Sequence, residues 1–134
     1  MQLASIPGKL TVAWNAEVRA VVDTWTNYGV TLEEFKQAIL GKAVSQAKMN
    51  NVRAWIVDSS KANGTFSQEI QDFIGTDIFP AFAKAGVKYF ITITSASAVT
   101  RMTIRNYTAK LGPNGLKLVD VASVEDAIEW LKKN

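Results

Sequence analysis

The sequence predicts an α/β layer fold: one mixed sheet that opens with an antiparallel hairpin, continues with parallel strands, and carries helices packed on it. Three observations predict it. Residues 52–58, Val-Arg-Ala-Trp-Ile-Val-Asp, form an apolar β-rich run that stops abruptly at Asp58, Ser59 and Ser60, as a buried parallel strand does where its carboxyl end meets a polar edge. After an opening pair of strand patterns, strand and helix patterns alternate to the end of the chain. Capping residues stand in front of the helical stripes. At 134 residues the chain is long enough to bury a core as a single domain, 1–134, with no internal repeat, linker or low-complexity segment.

Leu10, Val12 and Trp14 alternate with Lys9, Thr11 and Ala13, the period of a strand with one buried face. Residues 15–17 read as a turn and residues 18–25 as a second strand, ended by Asn27, Tyr28 and Gly29. Thr31-Leu-Glu-Glu34 has capping-box spacing, so a helix starts there; Leu32, Phe35, Ile39, Ala43 and Ala47 are its apolar stripe and Asn50-Asn51 its end. The central strand follows, and strand, helix, strand implies a parallel crossover.

After a polar loop, Thr65-Phe-Ser-Gln68 repeats the capping-box spacing ahead of Phe66, Ile70, Phe73 and Ile74. This second helix runs toward Ala85, closes at Gly86, and is expected to kink or divide at Pro80, which lacks an amide hydrogen. Residues 87–94 are the next strand. A helix after Ser95-Ala-Ser97 turns Thr100, Ile104, Tyr107 and Leu111 inward and Arg101 and Arg105 outward, and Gly112-Pro113-Asn114-Gly115 breaks it. Residues 116–121 are the last strand, and Ser123 caps a helix with Val124, Ala127, Ile128 and Leu131 on one face. The expected order is β-β-α-β-α-β-α-β-α.

Composition bounds the chemistry. There is no cysteine and no histidine, which removes thiol chemistry, Cys/His zinc sites and imidazole bases. A serine hydrolase built on Ser59 or Ser60 would lack its base and has no nucleophile elbow. No catalytic residue, metal ligand or cofactor is therefore assigned, and the chain is expected not to be an enzyme. A net charge of +3 with both signs intermixed argues against a nucleic-acid partner. No run is long enough for a membrane span, the opening residues lack a secretory pattern, and a cytoplasmic location is expected.

Candidate site residues gather at the carboxyl edge of the predicted sheet. Asp58, Ser59 and Ser60 after one strand and Thr94, Ser95 and Ser97 after the next could line a crevice for a ligand or partner, or serve as turn and cap residues. Arg101 and Arg105, one helical turn apart, could hold a carboxylate or phosphate above it, or be solvated charges. Ser67 stands where a phosphate would be favoured by a helix start, and equally where a cap is needed. Trp14, Trp25, Trp55 and Trp130 read as packing residues. Nothing in the spacing sets Asp23 and Glu17 at a defined separation.

The order of elements, with Ala54-Trp-Ile-Val-Asp58 and the later Phe79-Pro80, resembles the STAS domain, the fold of the anti-sigma-factor antagonists, and its antagonist-like relatives, over nearly the whole chain. In that family a strand ending in aspartate leads to an aspartate-serine pair at the next helix start, and a partner kinase phosphorylates the serine. The resemblance puts the strand-end aspartate on Asp58, a following serine on Ser60 and the phosphorylation candidate on Ser67, with Phe66 where the family has aspartate. It implies a non-enzymatic regulatory domain whose partner is a protein, using the loop after the central strand and the following helix. The alternative is a carrier or sensor of an anionic or amphipathic metabolite or lipid. A receiver-like phosphoacceptor does not fit, because the chain opens on a hairpin and ends its last strand at Val121-Ala122-Ser123.

Overall fold

The computed structural model describes residues 1–134, apart from the side chain of Pro113. Six strands form one sheet in sequence order: β1 (Gln2–Ile6), β2 (Leu10–Asn15), β3 (Ala20–Trp25), β4 (Ala54–Asp58), β5 (Tyr89–Ile93) and β6 (Lys117–Asp120). The first three are antiparallel neighbours, and β3 through β6 are parallel. β4 thus lies inside the sheet, in register with β3 (Val21 opposite Trp55) and β5 (Trp55 opposite Phe90).

The opening is a three-stranded meander rather than a hairpin, because residues 2–6 form a strand that the sequence reading lacked. Pro7-Gly8 makes the return: the Lys9 N–H donates to the Ile6 carbonyl at 2.9 Å and Gly8 takes φ +73°, as the third position of a Pro-Gly turn requires. β3 begins at Ala20, not Val18. Residues 16–19 are the turn, where Asn15 Oδ1 accepts from the Glu17 and Val18 amides and Arg19 takes a positive φ.

α1 covers residues 32–49 and begins with the expected box: Thr31 Oγ1 accepts from the Glu34 amide at 3.1 Å and Glu34 returns to the Thr31 amide at 2.9 Å. That bond holds the Glu34 carboxyl below its ordinary pKa. Between α-helical ends, Lys36–Val44 is π-helical. α2 covers residues 68–85 and has the same construction, Gln68–Phe73 and Phe79–Ala85 flanking a π-helical Ile74–Ile78. Pro80 does not divide it; the wider π turn precedes the proline, so the chain passes without a break. α3 is Ala98–Thr108, followed by a 3₁₀ turn at Gly112–Asn114, and α4 is Val124–Lys133.

The layers are unequal. Parallel strands placed side by side in sequence order, each joined by a crossover of one hand, send every connecting helix to the same face. Phe35 and Ile39 of α1, Ile70, Ile78 and Phe82 of α2 and Ile104 and Tyr107 of α3 accordingly pack with Val12, Val21, Trp55, Val57 and Phe90 in one cluster. On the opposite face α4 alone lays Ala127 and Leu131 on Ala20, Ala54, Ile56 and Ile91. The alanines let that helix approach closely, and Lys132 reaches Glu17 in the β2–β3 turn at 3.4 Å.

Candidate functional site

The carboxyl edge of the sheet is built by the loops after β3, β4 and β5. The first two are zipped together: the Tyr28 amide donates to the Asn63 carbonyl at 2.9 Å and the Asn63 amide to the Thr26 carbonyl at 3.2 Å. The third is tied to the second by Ser95 Oγ, which donates to the Ala62 carbonyl at 2.7 Å. Most predicted site residues are spent on this construction. Asp58 Oδ1 accepts from both the amide (3.0 Å) and hydroxyl (2.7 Å) of Ser60, an Asx turn. Ser59 is fully buried, its hydroxyl 2.5 Å from the Tyr28 hydroxyl. Ser95 is buried and accepts from the Ser97 amide, and Ser97 caps α3 through the Thr100 amide.

Arg101, Arg105 and Thr94 do come together, with Thr92, Leu118 and Asp120, along a surface groove of about 430 Å³ between α3 and β6. The Arg101 guanidinium also donates to the carbonyls of Ser95 (3.1 Å) and Ala96 (2.8 Å), steadying the loop that leads into α3. Asp120, hydrogen-bonded to the Thr92 hydroxyl, puts an acid in the same groove.

Ser67 is exposed and is the cap of α2, its hydroxyl accepting from the Ile70 amide at 3.2 Å. The box expected between Thr65 and Gln68 does not form; Thr65 instead bonds the Thr103 hydroxyl of α3, and the Thr100 hydroxyl donates to the Gly64 carbonyl at 2.7 Å. Among the described residues Ser67 has no hydrogen bond to Asp58 or Ser60. Phe66 is buried against Tyr28, the rings parallel with centroids 4.1 Å apart, and meets Trp25 edge-on at 5.1 Å. A carboxylate at this position would be desolvated among rings, which accounts physically for the phenylalanine.

Of the tryptophans, Trp25 and Trp55 are core residues, and Trp130, on α4, meets Tyr89 of β5 edge-on at 4.9 Å. Asp23 and Glu17 are not a pair, since Glu17 is exposed while Asp23 is 3 % exposed in the core.

Asp23 and its partners are what sequence reasoning missed. The Trp55 indole N–H donates to Asp23 Oδ2 at 2.9 Å, and among the described residues Oδ1 has no hydrogen-bond partner. Burial pushes its pKa up to about 7, against the pull of the Trp55 and Trp25 indoles. Tyr28 is raised by burial to about 12 despite its bond to Ser59, and burial also raises Tyr107 well above its ordinary value. The available signal was a lone acid in an otherwise apolar β3, Val-Val-Asp-Thr-Trp, with a tryptophan in the neighbouring strand.

Among the described residues no group of three His, Cys, Asp or Glu side chains could hold a metal, and no helix is long and apolar enough to cross a membrane. What stands is an α/β domain on a six-stranded mixed sheet. No family model matches the chain, and neither a curated protein nor a solved structure matches it significantly.

Proposed function

We propose that this is a regulatory interaction module of STAS-like type, without catalytic activity, that docks a protein partner on the loop after β4, the start of α2 and one flank of α3. The observation that carries the reading is an unforced apolar exposure beside that loop: Val99 is 59 % and Met102 63 % exposed. At 100° per residue these two side chains lie on the flank of α3 next to Thr103, the residue that holds Thr65. Ser67 caps the adjoining helix, so a phosphate there would change the charge of the same surface. With Phe66 committed to the core, kinases that read an acidic residue at that position are expected to modify Ser67 poorly.

The test is a photo-crosslinking side chain at Met102 in the producing cell, with Glu125 on α4 as the control position. One adduct at Met102, absent at Glu125 and lost on Val99→Glu or Ser67→Asp, together with blank ester and phosphoester assays, supports the reading. Adducts indifferent to both substitutions, or turnover lost in Ser59→Ala or Ser60→Ala, would end it.

A second reading, an anion sensor, is favoured by Arg101 and Arg105 sharing one groove on the other flank of α3. Saturable phosphate or citrate binding that Arg105→Gln removes, with the Met102 adducts unchanged, would move the function there.

A further inference from the structure

Between the sheet and the helices of its crowded face lies an interior cavity of about 30 Å³. Every lining residue is at most 5 % exposed, and the lining is mostly aromatic, with Trp25, Trp55, Phe66 and Phe79 among the rings. One ionisable oxygen on the wall is unsatisfied, Oδ1 of Asp23.

A water needs about 10–15 Å³ of such space, so the cavity has room for a guest of one or two heavy atoms, yet water itself suits the site poorly. A buried water is held by two to four polar partners, and this wall carries one unsatisfied polar atom, Asp23 Oδ1, among aromatic and aliphatic side chains. A small cation answers both halves of the lining: its charge and one N–H go to the carboxylate, and its remaining hydrogens face π clouds, whose quadrupole attracts positive charge. We propose that the cavity is a binding site for a small ammonium cation, ammonium or methylammonium, held by Asp23 Oδ1 and the surrounding rings.

The site is independent of the proposed docking surface. Its walls include Ile39 from the π-helical part of α1 and Ile74 and Ile78 from that of α2. π turns recur at functional sites. No basic side chain lines the cavity among the described residues, so nothing built in already neutralises the acid. The titratable groups facing Asp23 are the phenols of Tyr28, after β3, and Tyr107, on α3, both neutral across the physiological range.

Binding demands the ionised carboxylate. Below the Asp23 midpoint of about 7 the cation must displace a proton, and affinity falls about tenfold per pH unit; above it, affinity levels off until the amine itself deprotonates. The experiment titrates the intact protein with ammonium and methylammonium chlorides in sodium buffer at constant ionic strength, following the fluorescence of Trp25 and Trp55 and the heat of binding. Sodium chloride and methanol, the neutral isostere of methylammonium, are controls. A saturable response to the two amines, absent with both controls, weakened tenfold per unit of acidification and lost in Asp23→Asn, is expected. Asp23→Asn is first shown to fold by circular dichroism; Ile78→Phe, which fills the cavity and keeps the acid, must also abolish binding. An equal response to methanol, no saturable response, or binding retained in Asp23→Asn or Ile78→Phe overturns the site.

Discussion

Replacing Asp23 by asparagine removes a charge and no volume, which isolates the electrostatic cost of burying it. The unfolded chain ionises this group near 3.8 and the folded protein near 7, so between those values the native state keeps a proton that the unfolded state has released. The contribution to stability is therefore complete below about 3.8 and is lost as pH rises to about 7, at about 1.4 kcal/mol per pH unit. Urea midpoints of the protein should fall over that window, and those of Asp23→Asn should run nearly level; parallel slopes would show that Asp23 is not the group titrating. Trp55→Phe keeps the ring stacked on Phe82, 4.0 Å between centroids, but removes the indole N–H that donates to Asp23 Oδ2. It should cost about 1–3 kcal/mol and move the Asp23 midpoint upward, read by repeating the pH series.

At the scale of elements, Ser67 and Thr65 exchange the roles their spacing suggests. Ser67→Ala removes the α2 cap and should cost about 1 kcal/mol in chemical denaturation, while Ser67→Asp keeps an acceptor at the helix start and should stay within a few tenths of the parent. If Ser67→Ala proved silent and Thr65→Ala mimicked an uncapped helix, the box reading would be restored. The two π-helical segments could not be read from the stripe, because an i, i+4 pattern is also met by a helix that locally widens to i, i+5 bonds. Gly75, inside the second of them, has a packing reason: a β-carbon there would come within 2.6 Å of the Lys110 side chain, which lies across α2 to bond the Gln71 carbonyl and Asp72.

For the whole molecule, the two apolar clusters share one sheet and alternate residues of the same strands: Trp55 and Val57 face α1 and α2, and Ala54 and Ile56 face α4. Neither cluster can be lost without exposing strands the other needs. Unfolding should therefore be a single transition, with far-ultraviolet circular dichroism, the tryptophan fluorescence of the parent protein and the signal of a Trp130-only variant coinciding. Leu131→Ala on the α4 face should cost about 2–5 kcal/mol and shift all three probes together. A Trp130 transition that separates from the others would mean that α4 melts as its own unit.

Local chemistry sufficed for much of this. Period-2 runs, the Thr31 box, Gly86 and the Ser97 and Ser123 caps act within a few residues, so the sequence by itself determined the class of fold, the parallel strands after the opening and the inward stripe of Thr100, Ile104, Tyr107 and Leu111. The strand at residues 2–6 escaped because it is short and its pairing with β2 is a tertiary fact, although Pro7-Gly8 announced a turn. Which serines at the carboxyl edge stay free was likewise decided by partners remote in sequence: Tyr28 takes Ser59 and Ala62 takes Ser95. Only the tertiary structure could place Asp23 among rings drawn from three helices and the sheet, since desolvation is a property of the surroundings and not of the residue.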